Sequence, residues 1–177
     1  MSNNRMQDIV VITTGGTIEK TYDESDGSLA NRESIIKARI MSRLRLPYTN
    51  LQVFSVMSKD SLFMTDDDRA LLMHFIKSQF EKNAPIVVLH GTDTMAVSAE
   101  RCFSEFESLP IPVPVVFTGA MKPLGFEDSD ALQNVTEALC SCKLLAPGVF
   151  LSFHGRIFKV PGVRKNRERG TFEQIDE

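Results

Sequence analysis

Two clusters of hydroxyl, acid and glycine residues in this 177-residue chain have the makings of nucleophilic catalysis. The first is Thr14-Gly15-Gly16-Thr17-Ile18, directly after the β-branched run of residues 8–13. Paired glycines permit a tight turn and a close backbone approach to a ligand, and a hydroxyl follows at once. The second is His90-Gly91-Thr92-Asp93-Thr94, about 75 residues further on. A threonine hydroxyl is a poor nucleophile until a base takes its proton. An acid beside a second threonine, with a lysine in reach, supplies the parts of a proton relay. Each cluster also has a plainer reading. The first could be an ordinary strand-to-helix turn, even a phosphate-binding one, although neither glycine-rich nucleotide-binding spacing is present. The second could be a helix cap.

The elements that must position these residues alternate along the chain. Short apolar runs at 8–13, 51–57, 85–90, 113–118 and 149–153 read as strands, with a sixth at 156–160. Several are apolar throughout, as strands covered on both faces are. Helical patterns fall at 31–44, 65–82, 95–107 and 129–145. Thr65-Asp66-Asp67-Asp68 reads as an N-cap followed by acids that suit the helix dipole. The apolar stripe expected behind it is Leu71, Leu72, Phe75, Ile76 and Phe80, interrupted by Gln79. This alternation implies a three-layer α/β/α sandwich around a mostly parallel central sheet, with residues 1–177 forming one domain. The polar stretch 22–30 reads as a flexible loop, and the basic stretch 161–170 as irregular, broken by Pro and Gly. In such sheets the site lies beyond the carboxyl ends of the strands. Five exits carry polar sets there: the two clusters, Ser58-Lys59-Asp60, Thr118-Gly119-Ala120-Met121, and the segment near Lys165.

The order and separation of Thr14-Gly-Gly-Thr-Ile18 and His90-Gly-Thr-Asp-Thr94 resemble the two signature motifs of the bacterial-type L-asparaginase family. Thr118-Gly-Ala-Met-Lys-Pro123 is similar to that family's Gly-Ala-Met-Arg-Pro segment. The likeness runs from about Ile9 to about Phe172 and covers the family's N-terminal domain, leaving its smaller C-terminal domain without a counterpart here. The resemblance implies that Thr17 attacks the amide carbon to form an acyl-enzyme. It implies that Thr92, Asp93 and Lys165 form the second cluster, with Lys159 as the rival lysine. Arg164 and Arg167 flank Lys165 and could depress its pKa. Tyr22 matches the tyrosine that orients the nucleophile, and 22–30 would then be a lid over the substrate. For the substrate, Ser58 would hold the α-carboxylate and Asp93 the α-ammonium. Gly16 and Gly91 would shape the cradle. The N–H groups of Thr17 and Thr92 would form the oxyanion hole, and the Ala120 carbonyl would receive the leaving nitrogen.

The substrate so implied is L-asparagine, with L-glutamine as the second candidate, since one methylene is worth only about 1–3 kcal/mol in a pocket. Readings of another class are a non-catalytic amino-acid sensor and an amidotransferase component that releases ammonia. The bulk properties are those of a globular domain, 42% apolar and 24% charged with net charge −3. They suggest no nucleic-acid partner and no membrane surface. The short polar start has no long apolar run behind it, so the expected location is the cytoplasm. No cofactor and no metal are expected. Cys102, Cys140 and Cys142 read as ordinary thiols rather than a disulfide framework. His74 falls near the helix stripe and reads as a core or edge histidine, His90 as a shaper of its turn, and His154 has no role in the resemblance. Without a C-terminal domain to lend cover, self-association as a homodimer or homotetramer is expected.

Overall fold

The computed structural model describes residues 6–22, 29–31 and 40–175. Among these, six strands form one sheet: β1 (Gln7–Gly15), β4 (Thr49–Lys59), β5 (Ile86–Leu89), β6 (Pro114–Thr118), β7 (Gly148–Phe153) and β8 (Arg156–Lys159). Their order is β4-β1-β5-β6-β7-β8. All neighbours run parallel except β7 and β8, which form an antiparallel hairpin. After β1 the chain places β4 on one side of it and β5 on the other. The topological switch point therefore lies between β1 and β5, where ligands bind in open sheets of this kind.

Strand alternation divides the core between two faces. Val10, Ile12, Ile86, Val88, Val115 and Phe117 pack on one side, with Leu72, Met73 and Ile76 of α1 (Asp66–Ser78) and Met95, Ala99 and Cys102 of α2 (Met95–Glu105). Ile9, Val11, Val87, Leu89 and Val116 pack on the other, with Ala131, Val135, Ala138 and Leu139 of α3 (Ala131–Ser141). Helices on both faces are why the inner strands are apolar over most of their length, and β5 throughout. The three layers expected from the sequence are present. Each fully buried Val, Leu or Ile contributes roughly 1.5–3 kcal/mol, so the inner strands are the stable frame on which the exits sit.

Local chemistry sets the start of α1. Thr65 Oγ1 accepts from the Asp68 backbone N–H at 3.3 Å, and Asp68 Oδ2 accepts from the Thr65 N–H at 2.7 Å, a reciprocal capping box. Lys59 at the end of β4 donates to the same carboxylate at 2.5 Å. That bond, then the Thr65 N–H, lowers the Asp68 pKa to about 2.

Several elements differ from the sequence expectation. At the ends of the helix expected over 31–44, Asn31 closes strand β3 (Leu29–Asn31) and Met41–Arg43 form a 3-10 turn; 32–39 lie outside the described residues. The ends of the expected loop 22–30 pair as a hairpin, β2 (Lys20–Tyr22) against β3, with 23–28 outside the described residues. The apolar stripe of α1 is rotated: Leu71 is 50% exposed and Met73 is buried instead. Docking on the sheet, not the count of apolar residues, decides which side of that helix faces in. His74 is exposed. Cys140 is exposed, whereas Cys102 and Cys142 are buried, and burial pushes both of those thiols up to about 12.

The largest difference is at the C-terminal side. The stretch 161–170 is not irregular. Val163–Asn166 form β9, which pairs antiparallel with β10 (Thr171–Gln174). Nor does the terminal segment leave the domain uncovered. Phe172 is buried with its ring 5.0 Å from that of Phe153. Alternation hides this hairpin in sequence, because only Val163 and Phe172 face the core and the rest of both strands is polar.

Candidate functional site

At the carboxyl end of the sheet, backbones approach each other more closely than any side chain would allow. A Cβ placed on Gly16 would lie 2.4 Å from the Cα of Gly91, and one on Gly15 would lie 2.4 Å from the backbone nitrogen of Lys59. Gly15 and Gly16 both have positive φ, 93° and 86°. The glycines of the two signature clusters thus bring the Thr17 turn, the Thr92 turn and the end of β4 into one place. Gly91 and Gly119 continue the contact, against Ser61 and the His90 carbonyl respectively. The Gly16 N–H donates to the Lys59 carbonyl at 3.0 Å. Thr14 Oγ1 donates to the Leu89 carbonyl at 3.1 Å, a second tie between β1 and β5.

Thr17 opens a 3-10 turn and is half-buried. As the first residue of that turn, its backbone N–H has no partner within it. Thr92 is buried and Asp93 partly so. They do not cap the following helix: α2 takes Thr94 as its N-cap, and the Thr94 hydroxyl donates to the Ser61 carbonyl at 2.9 Å. The cap reading therefore fails for the Thr92-Asp93 pair, and Thr94 takes the N-cap position without a side-chain cap bond. Instead, the Lys165 ammonium donates to Thr92 Oγ1 at 2.8 Å and to Asp93 Oδ1 at 3.0 Å. Lys165 arrives on β9, 73 residues away in sequence, and its side chain is only 17% exposed. Lys159 lies on the exposed side of β8, so the lysine brought to Thr92 is Lys165.

The two flanking arginines part company. Arg164 turns away to Glu173 at 2.8 Å and does not reach the cluster, contrary to expectation, because alternation along β9 points it opposite to Lys165. Arg167, beyond the strand, comes within 3.4 Å of Asp93. Ser58 is exposed near the end of β4, with its backbone packed against Gly15. Tyr22 closes β2 opposite Leu29. Ala120 is buried beyond the end of β6, at the same end of the sheet as the threonine clusters.

Sequence reasoning missed two features, the Lys20–Asp60 pair and the Asp130–Asn134–His154 network, and did not foresee how deeply His90 is buried. Lys20 donates to Asp60 at 2.7 Å, tying the segment after Thr17 to the one after Ser58. That bond does most to lower the Asp60 pKa. His90 is fully buried, and desolvation drops its pKa to about 4. Its Nδ1 donates to the Gly91 carbonyl at 2.9 Å, so it stays neutral and shapes the turn, as expected of it. Asp130, Asn134 and His154 form a network beneath Ala120. Asp130 and Asn134 stand one turn apart on a helix, a spacing readable in sequence, but nothing in the sequence joins them to His154 or to the loop they hold. Among the described residues no three His, Cys, Asp or Glu side chains gather closely enough to hold a metal ion, and no helix is long and apolar enough to cross a membrane.

This arrangement joins a hydroxyl on a glycine turn to a lysine-threonine-aspartate cluster at a switch point. The sequence model of the asparaginase N-terminal domain matches residues 8–176, nearly the whole chain. The chain belongs to the asparaginase family. An L-asparaginase of Thermococcus kodakarensis is 27% identical over 171 residues, which is 95% of this chain and 51% of that protein. The solved structure of the thermostable L-asparaginase from the same organism superposes with a TM-score of 0.83 at 26% identity, covering 97% of this chain and 52% of the other. One component of the glutamyl-tRNA(Gln) amidotransferase of Halobacterium salinarum is 31% identical over 150 residues, covering 82% of this chain and 34% of that protein. This asparaginase-family chain thus spans about half the length of the first relative and a third of the second. The mostly parallel sheet with flanking helices is the fold of asparaginase N-terminal domains.

Proposed function

We propose that the chain is the catalytic domain of an amidohydrolase that releases ammonia from the side chain of L-asparagine. In this reading Thr17 Oγ attacks the amide carbon. Its proton passes toward the Thr92–Lys165–Asp93 cluster and on to the leaving nitrogen. Ammonia departs, and water then cleaves the acyl-enzyme to L-aspartate and free Thr17. The N–H groups of Thr17 and Thr92 stabilise the oxyanion, a contribution of about 2.7–4 kcal/mol for a single donor in other enzymes. Ser58 takes the α-carboxylate, Asp93 the α-ammonium, and Tyr22 steadies the nucleophile. Gly16 and Gly91 shape the cradle by letting the two turns touch, which brings Thr17 and Thr92 to one place. The observation that carries this reading is the Lys165 ammonium, bonded at once to Thr92 and Asp93. A lysine held against a threonine and an acid can move a proton. We place the enzyme in the cytoplasm as a homodimer or homotetramer.

A second reading is an ammonia-releasing component of a larger amidotransferase, favoured by the likeness to the glutamyl-tRNA(Gln) amidotransferase component. The test is ammonia release from L-asparagine and from L-glutamine, for the wild type and Thr17→Ala. The expected result is release from asparagine, with the variant reduced to background while its thermal unfolding is unchanged. Release from glutamine alone would move the substrate assignment. A folded wild type inert toward both would sink the free-standing enzyme in favour of the amidotransferase component.

A further inference from the structure

The turn joining β7 to β8 carries an unexpected residue. Phe153 pairs with Arg156, so the loop is His154-Gly155, and both residues have positive φ, 47° and 76°. Two-residue hairpin turns of this conformation favour asparagine followed by glycine. A histidine there is an uncommon choice with some backbone strain. Its side chain makes contacts that asparagine is too short to make.

Asp130 stands at the N-cap of α3 but makes no side-chain cap bond. It faces the loop after β6 instead. Its Oδ2 accepts from the Met121 N–H and its Oδ1 from the Lys122 N–H, each at 3.0 Å. Asn134, one turn on and buried, donates from Nδ2 to the Gly119 carbonyl and to Asp130 Oδ2, both at 2.9 Å. The Ala120 peptide lies between these anchors. His154 closes the network. Its Nε2 lies 2.9 Å from Asp130 Oδ2, and its backbone N–H donates to Asn134 Oδ1 at 3.1 Å. A carboxylate only accepts, so Nε2 carries the proton. Nδ1 then accepts from the Thr171 hydroxyl at 3.1 Å, on β10. The ring also packs against Phe153, at 4.3 Å between centroids. Burial alone would raise the Asp130 pKa, but the two loop N–H groups and the His154 ring together hold it below the usual range. The hairpin that carries Lys165 and the loop that carries Ala120 are thereby joined through one imidazole.

We propose that His154 is a positioning residue for amide hydrolysis: through Asp130 it fixes the Gly119–Lys122 loop so that the Ala120 carbonyl is aimed at the leaving nitrogen. This rests on the amidohydrolase reading above. The histidine acts on the loop and touches no substrate. A carbonyl can accept from the N–H of an amide substrate, but an ester offers no such hydrogen. Loss of the aim therefore slows amide turnover selectively, since small misplacements in a site are costly to rate.

The test compares L-asparagine with L-aspartate β-methyl ester for the wild type and His154→Asn. Asparagine suits the turn conformation, so the variant keeps or raises the melting temperature while losing the bond to Asp130. The expected result is a fall of about 10-fold in kcat on asparagine, with KM little changed and ester turnover retained. Thr171→Val, which removes the hydroxyl that orients the other ring nitrogen, gives a smaller loss with the same selectivity. Equal losses on both substrates, or no loss on either, would overturn the proposal. A wild type inert toward both substrates would instead overturn the amidohydrolase reading and this inference with it. Unchanged activity of Thr17→Ala on asparagine would remove the nucleophile assignment while leaving the His154 comparison intact.

Discussion

The two halves of the candidate site are built in opposite ways. Around Thr17 and Thr92, short turns follow buried parallel strands, and glycines immediately beside each threonine let backbones from distant segments touch. Around Lys165 the support comes from afar. A mostly polar hairpin is held to the core by Val163 and Phe172, and the lysine crosses to partners 73 and 72 residues earlier in the chain. The first half is held by backbone contacts made at glycines, the second by a few side-chain contacts. A site so divided should tolerate surface changes in the hairpin, yet depend sharply on its lysine and on its apolar anchors.

The largest effect should follow Lys165→Met, which leaves the hairpin paired but removes the proton path. Turnover on asparagine should fall by about 10²- to 10⁴-fold. Lys159→Met on the neighbouring strand should leave it unchanged, and equal effects from the two would break the assignment. Phe172→Ala should cost about 3–5 kcal/mol of stability in urea unfolding. Because Phe172 lies opposite Lys165 in the hairpin register, it should also lower kcat, though by less than loss of the lysine itself. The same substitution with full activity would show that the hairpin does not need its core anchor.

The smallest effect concerns the other half. His90 titrates at about 4 when folded, against 6.5 for a free histidine, because burial disfavours its charged form. Between those values the unfolded chain binds a proton that the folded chain does not. The stability is therefore complete above about pH 6.5 and is lost as pH falls toward 4, by roughly 3 kcal/mol in total. Thermal unfolding across pH 7 to 4 should show this slope, and His90→Gln should flatten it. A slope unchanged in the variant would assign the acid sensitivity elsewhere.

Much of the first half was legible in the chain. Short β-branched apolar runs with no polar interruption read as strands covered on both faces, and a Gly-Gly-Thr or Gly-Thr-Asp after such a run then lies at the strand exits. The N-cap of α1 at Thr65 was legible too, and in the structure Asp68 completes it as a capping box within one turn. The hairpin was not, because strands whose residues are mostly polar carry no hydrophobic period. Helical spacing at Ile35, Ile36 and Ile40 likewise pointed to a helix reaching back to Asn31, where pairing with Lys20 makes a strand instead.

By itself, then, the sequence determined the layered sheet, the exits where polar side chains gather, and the placing of Thr17, Thr92 and Asp93 at one end of the sheet. These follow from periodicity and from turn residues acting on their immediate neighbours. Only the tertiary structure decided that Lys165 rather than Lys159 meets Thr92, that Arg164 and Arg167 point apart, and that His154 reaches Asp130. Each of those depends on strand register and on a crossing of chain segments far apart in sequence, and a shift of one residue would send the side chain to the opposite face.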